Sequence, residues 1–444
     1  MASIEKKIAS AILSKIRARG DTNSSQLGDV RANSALATAP ARLREARFSD
    51  FPAVAELKQR WGLGADCVEN WERLWHQNPA LAHAPSQRPI GWVLEAEDDI
   101  VGYIGNISLQ CRYGDRTLSA VAAHGLVVEP AYRGIGMTLN AAFFRQGGVD
   151  LYVGTTTVPA VGKISRALKS DPLPQSDYWT VLFWVLRPSP FAGAVMKRLA
   201  IKSSFSNIGG VLGALAIATD TKVRARRPKQ SSADLQMNDI SIAEIGDEFD
   251  EIWLDRVKEK TQLLTDRSVA ALRWHYQIPG DRGTMRVLRC SKNGRLLGYA
   301  MVRNEQPDEN GLRKSILADL LAREDEPGVV EALLASAYSQ AIQAGSHVLE
   351  VMGFPENIRR VFAQSKPYQR PYPACPYYYK AADPTFHKTL SDSAAWYACP
   401  YDGDATLIRP SYSSSPLPAT RPPAEDGHLS ISAEVAEKER TEVV

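Results

Sequence analysis

Two stretches of this 444-residue chain read in the same order. Around Trp75 the sequence is WHQNP followed by GWVLEAEDDIVGYI; around Trp274 it is WHYQIP followed by MRVLRCSKNGRLLGYAMV. In each, tryptophan, histidine and proline precede two apolar segments that flank a polar turn and close on Gly-Tyr, the pattern of a hairpin. Trp75 and Gly102 are 27 residues apart; Trp274 and Gly298 are 24 apart. An internal repeat of this kind means that one structural unit is built twice. The chain is therefore expected to form two related halves, as its length allows at about 100–200 residues per domain.

Composition divides the chain and excludes several classes. A hydrophobic share of 44% and a charged share of 23% are those of an ordinary soluble protein, and a net charge of +3 gives no reason to expect a nucleic-acid partner. Cys67, Cys111, Cys290, Cys375 and Cys399 are far apart, without a CxxC pair or clustered histidines. That disfavours a zinc site or a disulfide framework and fits a reducing cytoplasm. The longest apolar run, IGGVLGALAIA at 208–218, falls short of the roughly 20 residues that span a bilayer.

Residues 1–19 place Ile4, Ile8, Ile12 and Ile16 on one helical face among lysines and arginines. Such a helix suits docking on its own protein, a reversible membrane-surface contact, or a transit peptide. With a loose linker it makes up residues 1–40. Periodic sequence then runs over 41–188 and again over 236–408, joined by a partly helical connector, 189–235, that carries the apolar run and the basic cluster KVRARRPKQ. Its stretch 205–229 is a second candidate for peripheral membrane contact. Residues 409–444 have the Pro/Ser bias of a disordered tail.

Within 41–188, periodicity predicts a strand at ARLREARFSD and helices at FPAVAELKQRWG and VENWERLWHQNP. Strands GWVLEAE, IVGYIGNISLQC and LSAVAAHGLVV follow, then the turn VEPAYRGIGM and the helix TLNAAFFRQGG. Strand LYVGTTTV, helix VGKISRALK and the apolar strand DYWTVLFWVL complete an α/β sheet covered by helices. A strand that runs into glycines and then a helix gathers backbone N–H groups at the positive end of a helix dipole, where a diphosphate binds. Gly134 and Gly136 admit close approach of the ligand, and Arg133 adds a cation.

The order of strand, P-x-Y-R-G-x-G and helix resembles motif A of the GNAT superfamily of acyl-CoA-dependent N-acyltransferases. The resemblance covers about residues 42–187 and is specific in this motif alone. It implies two GNAT-like mixed sheets flanked by helices, with acetyl-CoA or another acyl-CoA as co-substrate. The backbone of Gly134, Ile135, Gly136, Met137 and Thr138, with Arg133, would hold the pyrophosphate. The strand edge ending in Leu126, Val127 and Val128 would pair with the pantetheine arm. The arrangement is that of neither G-x-G-x-x-G nor its distant acid, which a Rossmann site needs.

An amine that attacks a thioester must lose a proton. His124, on the strand before the turn, is the candidate base, a role that the resemblance implies for its position, and Glu129 at the loop mouth is a second. The family's tyrosine acid has no counterpart in VGKISRALK; Ser165 there is the candidate relay, with solvent as the alternative. In the second half, the distance from Gly102 to the turn leads from Gly298 to LLAREDEPGVVEALL. Glu324, Asp325 and Glu326 stand where the basic glycine turn stood, and carboxylates repel a pyrophosphate. The second copy is thus expected to be degenerate and to act as cover or cleft wall, with PYQRPYPACPYYYK part of that wall. Asp402 and Asp404, in WYACPYDGD, are candidates for a cation, an amine or a plain turn.

The function expected is acyl transfer, most simply acetyl transfer, to a small-molecule or envelope-related amine acceptor. A nonenzymatic acyl-CoA-binding or scaffold protein, and aminoacyl transfer of the peptidoglycan type, remain alternatives.

Overall fold

Residues that alternate apolar and polar, or are apolar on both faces, build two mixed sheets of different strand content. The computed structural model describes residues 39–64, 66–83, 88–157, 159–198, 203–223, 226–229, 234–259, 261–278, 284–372 and 376–407. The helix expected at 1–19, nearly all of the linker and the tail from 409 lie outside these residues.

The first half begins with β1 (Ala41–Glu45), α1 (Phe51–Arg60) and α2 (Val68–Trp75). It continues through β2 (Gly91–Ala96), β3 (Asp99–Tyr113), β4 (Arg116–Val128), α3 (Met137–Arg145), β5 (Leu151–Gly154), α4 (Pro159–Ala167) and β6 (Asp171–Pro172). Then come β7 (Thr180–Val185) and a connector of two helices, α5 (Pro188–Arg198) and α6 (Ser203–Val223). The second half holds β8 (Gln236–Ile240), α7 (Glu248–Glu259), β9 (Leu263–Thr265), α8 (Val269–Tyr276), β10 (Met285–Lys292), β11 (Arg295–Asn304) and β12 (Lys314–Ala322). It ends with α9 (Pro327–Gln343), β13 (Val348–Val351), α10 (Glu356–Gln364), β14 (Tyr368–Pro371), β15 (Tyr378–Ala381) and α11 (Pro384–Thr389).

The two sheets run in a similar order, which is consistent with an internal repeat. One runs β1-β2-β3-β4-β5-β15-β6 and the other β8-β10-β11-β12-β13-β7-β14. In both, an antiparallel meander is followed by one parallel pair, β4 with β5 or β12 with β13, and then by antiparallel strands. The Gly-Tyr pairs are equivalent: Gly102 faces Val128 and Gly298 faces Ala322, each at the end of the strand before the turn.

One expectation is overturned. DYWTVLFWVL does not close the sheet of its own half; the strand is limited to Thr180–Val185 and lies between β13 and β14 of the other sheet. Its place is taken by β15, which lies between β5 and β6. The halves thus exchange one strand each. Burial is the physical reason. From Val181 to Val185 the strand is buried on both faces: Leu182 and Trp184 enter the second core, while Phe183 and Val185 lie beneath Phe191 and Ile217 of the connector helices. A strand apolar on both faces needs a central place in a doubly covered sheet, and alternation alone does not say which one. β9 adds a third tie, extending the first sheet along Cys111–Tyr113 of β3.

In the first sheet α1 and α2 cover one face, where Leu57, Trp71 and Trp75 meet Tyr103, Ile107, Ala120 and Ala122. On the opposite face Leu139 and Phe143 of α3 meet Trp92, Ile104 and Val121. The segment from Ser393 to Leu407 closes the seam between the halves: Trp396 packs on Tyr377 and Tyr379, and Tyr397 lies in the second core.

Because strands are exchanged, the two sheets are expected to unfold as one unit. Denaturant melts followed by far-ultraviolet circular dichroism and by tryptophan fluorescence should coincide; two separate transitions would contradict the coupling. Trp396→Ala should lower stability by about 3–5 kcal/mol without splitting the transition.

Candidate active site

β4 and β5 pair only through Ala120–Ala122 against Leu151–Val153, and β5 ends at Gly154 while β4 continues to Val128. The cause lies in β4 itself. Tyr103 pairs with Val127 and Gly105 with His124, so β4 carries one extra residue in between. Such a bulge bends a strand and increases its twist. Gly125 takes a left-handed conformation there (φ +61°), which L side chains rarely adopt. Beyond Ala122, the side of β4 that faced β5 has no partner strand among the described residues.

The open edge leads into the glycine turn. Residues Pro130–Ile135 form a 3-10 turn and α3 starts at Met137; the Gly136 amide between them donates to the Arg133 carbonyl (3.2 Å), and among the described residues no side chain caps the helix. A Cβ at Gly134 would meet nothing within 4 Å, whereas one at Gly136 would touch Val128 at 3.2 Å. Arg133 lies over the Trp61 ring (5.8 Å), Thr138 Oγ1 donates to the Ile135 carbonyl (2.7 Å), and Ile135 and Met137 are exposed. Leu126 and Val128 pack beneath α3, and Val127 faces the opposite core. The expected anion-binding residues therefore surround one uncapped helix start at the end of one unpaired strand edge.

His124 shares the face of Ala120 and Ala122 and is buried under α1 and α2. Its Nε2 lies 3.4 Å from Lys58 Nζ, and its Nδ1 lies 3.4 Å from Asp404 Oδ2. Lys58 Nζ donates to Asp66 (2.9 Å), which also accepts from Asn70 Nδ2 (2.9 Å). Burial and the Lys58 ammonium push the His124 pKa below that of free imidazole, against the pull of Asp404. Burial works against charge on Asp66, but Lys58, Asn70 and His124 outweigh it and hold the carboxyl below the usual range. The Tyr103 hydroxyl, fully buried at this bulge, has no hydrogen-bond partner among the described residues.

Glu129 lies apart from this cluster, paired with Arg60 of α1 (2.5 Å). Ser165 is buried on α4 and donates to the Val161 carbonyl (3.2 Å), one helical turn back. The same helix receives a tyrosine from elsewhere, since a Cβ at Gly162 would stand 2.6 Å from Tyr378 Oη of β15. Asp402 accepts from Thr265 Oγ1 (2.5 Å) and from the Cys399 amide (2.8 Å), and burial pushes its pKa up. Among the described residues no three acidic, histidine or cysteine side chains are grouped to hold a metal ion.

The equivalent region of the second half is filled by protein. β12 pairs with β13 only from Lys314 to Leu317, and it too bulges, with Met301 facing Asp319 and Val302 facing Leu317. Here Tyr397 Oη donates to the Leu320 carbonyl (2.5 Å) and the Phe354 amide to the Ala398 carbonyl (2.7 Å). The segment therefore bridges the end of β12 and the chain after β13. Glu326 caps α9, accepting from the amides of Gly328 (3.1 Å) and Val329 (2.6 Å). Asp325 pairs with Arg256 and accepts from Asn357, while the Glu324 amide donates to Glu259.

No protein-family model matches the sequence, and no curated protein matches it. In fold, the chain is similar to GCN5-related N-acetyltransferases. One, from Anabaena variabilis, is 9% identical, with a TM-score of 0.49 over 78% of this chain and 73% of that one. Another, from Kribbella flavida, is 14% identical, with a TM-score of 0.48 over 79% and 73%. A probable N-acyltransferase from Enterococcus faecalis is 10% identical, with a TM-score of 0.49 over 77% and 73%. No helix among the described residues is long and apolar enough to cross a membrane.

Two buried histidines link stability to pH. His275 lies well below the ordinary imidazole pKa through burial and the nearby Arg73, Arg303 and Arg267, and His124 is depressed as above. Unfolding returns each to about 6.5, so the unfolded chain binds more protons below that pH. The contribution is complete above about pH 6.5 and declines as pH falls toward the folded values, by about 1.4 kcal/mol per pH unit for each group. The melting temperature should fall from pH 7 to pH 5, and His275→Gln should flatten the decline. An equal slope in the variant would refute the assignment.

Proposed function

We propose that the chain is an acyl-CoA-dependent N-acyltransferase, most simply an N-acetyltransferase, whose chemistry resides in the first half. The carrying observation is the contrast between two equivalent places. At one, a bulged strand has an unpaired edge running into an uncapped, glycine-lined helix start, with a buried histidine at its base. At the other, Tyr397 and Glu326 occupy the corresponding positions.

Each part has a task in such a reaction. Backbone N–H groups at the start of α3, with Arg133 close by, suit a diphosphate. Gly134 leaves open space where a side chain would exclude it. The unpaired edge of β4 offers amides and carbonyls to an extended, amide-bearing arm, as an added strand would use them. Acetyl-CoA supplies the activated thioester. His124, held neutral, accepts the proton that the attacking amine must shed. An edge amide can donate to the carbonyl oxygen as negative charge develops on it. The Ser165 hydroxyl is engaged with its own helix, so solvent is the simpler proton source for the departing thiolate.

Thiol release from acetyl-CoA against a panel of amines and amino sugars tests the reading, with calorimetric binding of acetyl-CoA alongside. Gly134→Asp should weaken binding at least 100-fold while leaving the melting temperature unchanged. His124→Gln should keep binding and lower kcat by about 100- to 10,000-fold. Binding without turnover on any acceptor would identify an acyl-CoA-binding protein instead. Absence of binding would overturn both readings.

A further inference from the structure

The carboxylate that faces His124 comes from the far end of the described chain. Asp402, Gly403 and Asp404 form a turn across the seam between the halves. Asp402 is tied on one side to Thr265 and the Cys399 amide, with Arg267 Nη2 at 3.9 Å. Gly403 is left-handed (φ +78°), and a Cβ there would lie 2.3 Å from Thr155 Cγ2, so only glycine passes this point without displacement. Asp404 then enters the first half. Thr155 Oγ1 (2.7 Å) and Thr156 Oγ1 (3.1 Å) donate to its Oδ1, and its own amide donates to Thr155 Oγ1 (3.1 Å). Its Oδ2 faces the imidazole and also accepts from Thr156 Oγ1 (3.1 Å).

The groups around His124 demand one tautomer. A lysine ammonium only donates and a carboxylate only accepts. Lys58 at Nε2 therefore requires a lone pair there, and Asp404 at Nδ1 requires a proton there. The other neighbours impose nothing different: Trp75 presents its ring, with centroids 6.5 Å apart, and Asp66 is engaged with Lys58 and Asn70.

We propose that Asp404 is a positioning residue for the first half's reaction: it fixes His124 as the Nδ1–H tautomer, so that Nε2 is the proton acceptor and the second half's C-terminal segment completes the first half's site. This rests on the acyl-transfer reading above. An acceptor amine reaching Nε2 displaces the long contact with Lys58. Its nitrogen forms the bond to the acyl carbon and gives one proton to Nε2. The C–S bond breaks with its electron pair on sulfur, and the thiolate takes a proton from solvent. The imidazolium, paired with Asp404, returns its proton to solvent, so that amine and thioester give amide and thiol.

Nitrogen-15 NMR of histidine-labelled full-length protein, with His124 assigned through His124→Gln, reads the tautomer directly and needs no turnover. The expected result is a proton on Nδ1 and none on Nε2, with that preference weakened in Asp404→Asn, where Lys58 alone still opposes a proton on Nε2. The same variant should lower kcat by about 100- to 10,000-fold while the KM for acetyl-CoA and the melting temperature hold. Asp404→Glu should recover part of the rate. A proton on Nε2 in the unaltered protein overturns the inference, even if Asp404→Asn fails to fold. So does a folded Asp404→Asn with unchanged tautomer and kcat. If acetyl-CoA does not bind the unaltered protein, the acyl-transfer reading fails while the tautomer result still decides whether Asp404 sets the imidazole.

Discussion

The exchange of β7 and β15 is the constraint on which the rest of the molecule depends. Each sheet is completed by a strand from the other half, and the chain must cross between them to supply it. The last crossing, β15 into α11 and on through Trp396 to Leu407, lays the end of the described chain along the seam. That path brings Trp396 against Tyr379, Tyr397 to the end of β12, and Asp404 to His124. A domain whose sheet is closed by its own strand gives the following chain no reason to lie there. The composition of the candidate site thus follows from sheet topology.

The same segment separates the fates of two similar frameworks. Both sheets place a bulge beyond a short parallel pair, and both lead into a helix. In the second half the Tyr397 hydroxyl satisfies a carbonyl of β12 and a carboxylate satisfies the helix amides. In the first half no side chain among the described residues caps the helix start, where the Gly136 amide is engaged by the Arg133 carbonyl. An amide or carbonyl that protein satisfies has nothing left for a ligand, and one that water satisfies can exchange it. On the reading proposed above, internal groups of the second half take the positions that a cofactor would fill in the first.

Local chemistry made much of this legible in the sequence. The glycine turn, the helix after it and the placement of His124 on the preceding strand all rest on residues near one another in the chain. What was not legible depends on long-range choice. TVLFWV fits the centre of either sheet because it is apolar on both faces, so pattern could not assign it. Nothing in FPAVAELKQRWG marks Lys58, yet it reaches a histidine 66 residues away. Asp404 lies 280 residues from the same ring. The D-G-D spelling announces a turn, but only the exchanged topology says what that turn reaches. Glu129 and Ser165 show the converse, chemically suitable groups whose nearest partners are Arg60 and the Val161 carbonyl.

The buried pair of Lys58 and Asp66 is the last element of the site to need a reason. Two charges taken from water gain little net stability from each other, and a packed apolar pair in the same volume would do as well or better. Their presence is better explained by what they impose on the imidazole. Lys58 places its ammonium at Nε2, which disfavours a second proton on the ring, while Asp66 accepts from that ammonium at 2.9 Å. Asp404 acts from the opposite nitrogen and favours the protonated ring once a proton arrives. For the proton acceptor proposed above, the imidazole must be empty at rest and stabilised when filled. Placing the cation and the anion on opposite nitrogens of one imidazole meets both requirements, which neither charge could do alone.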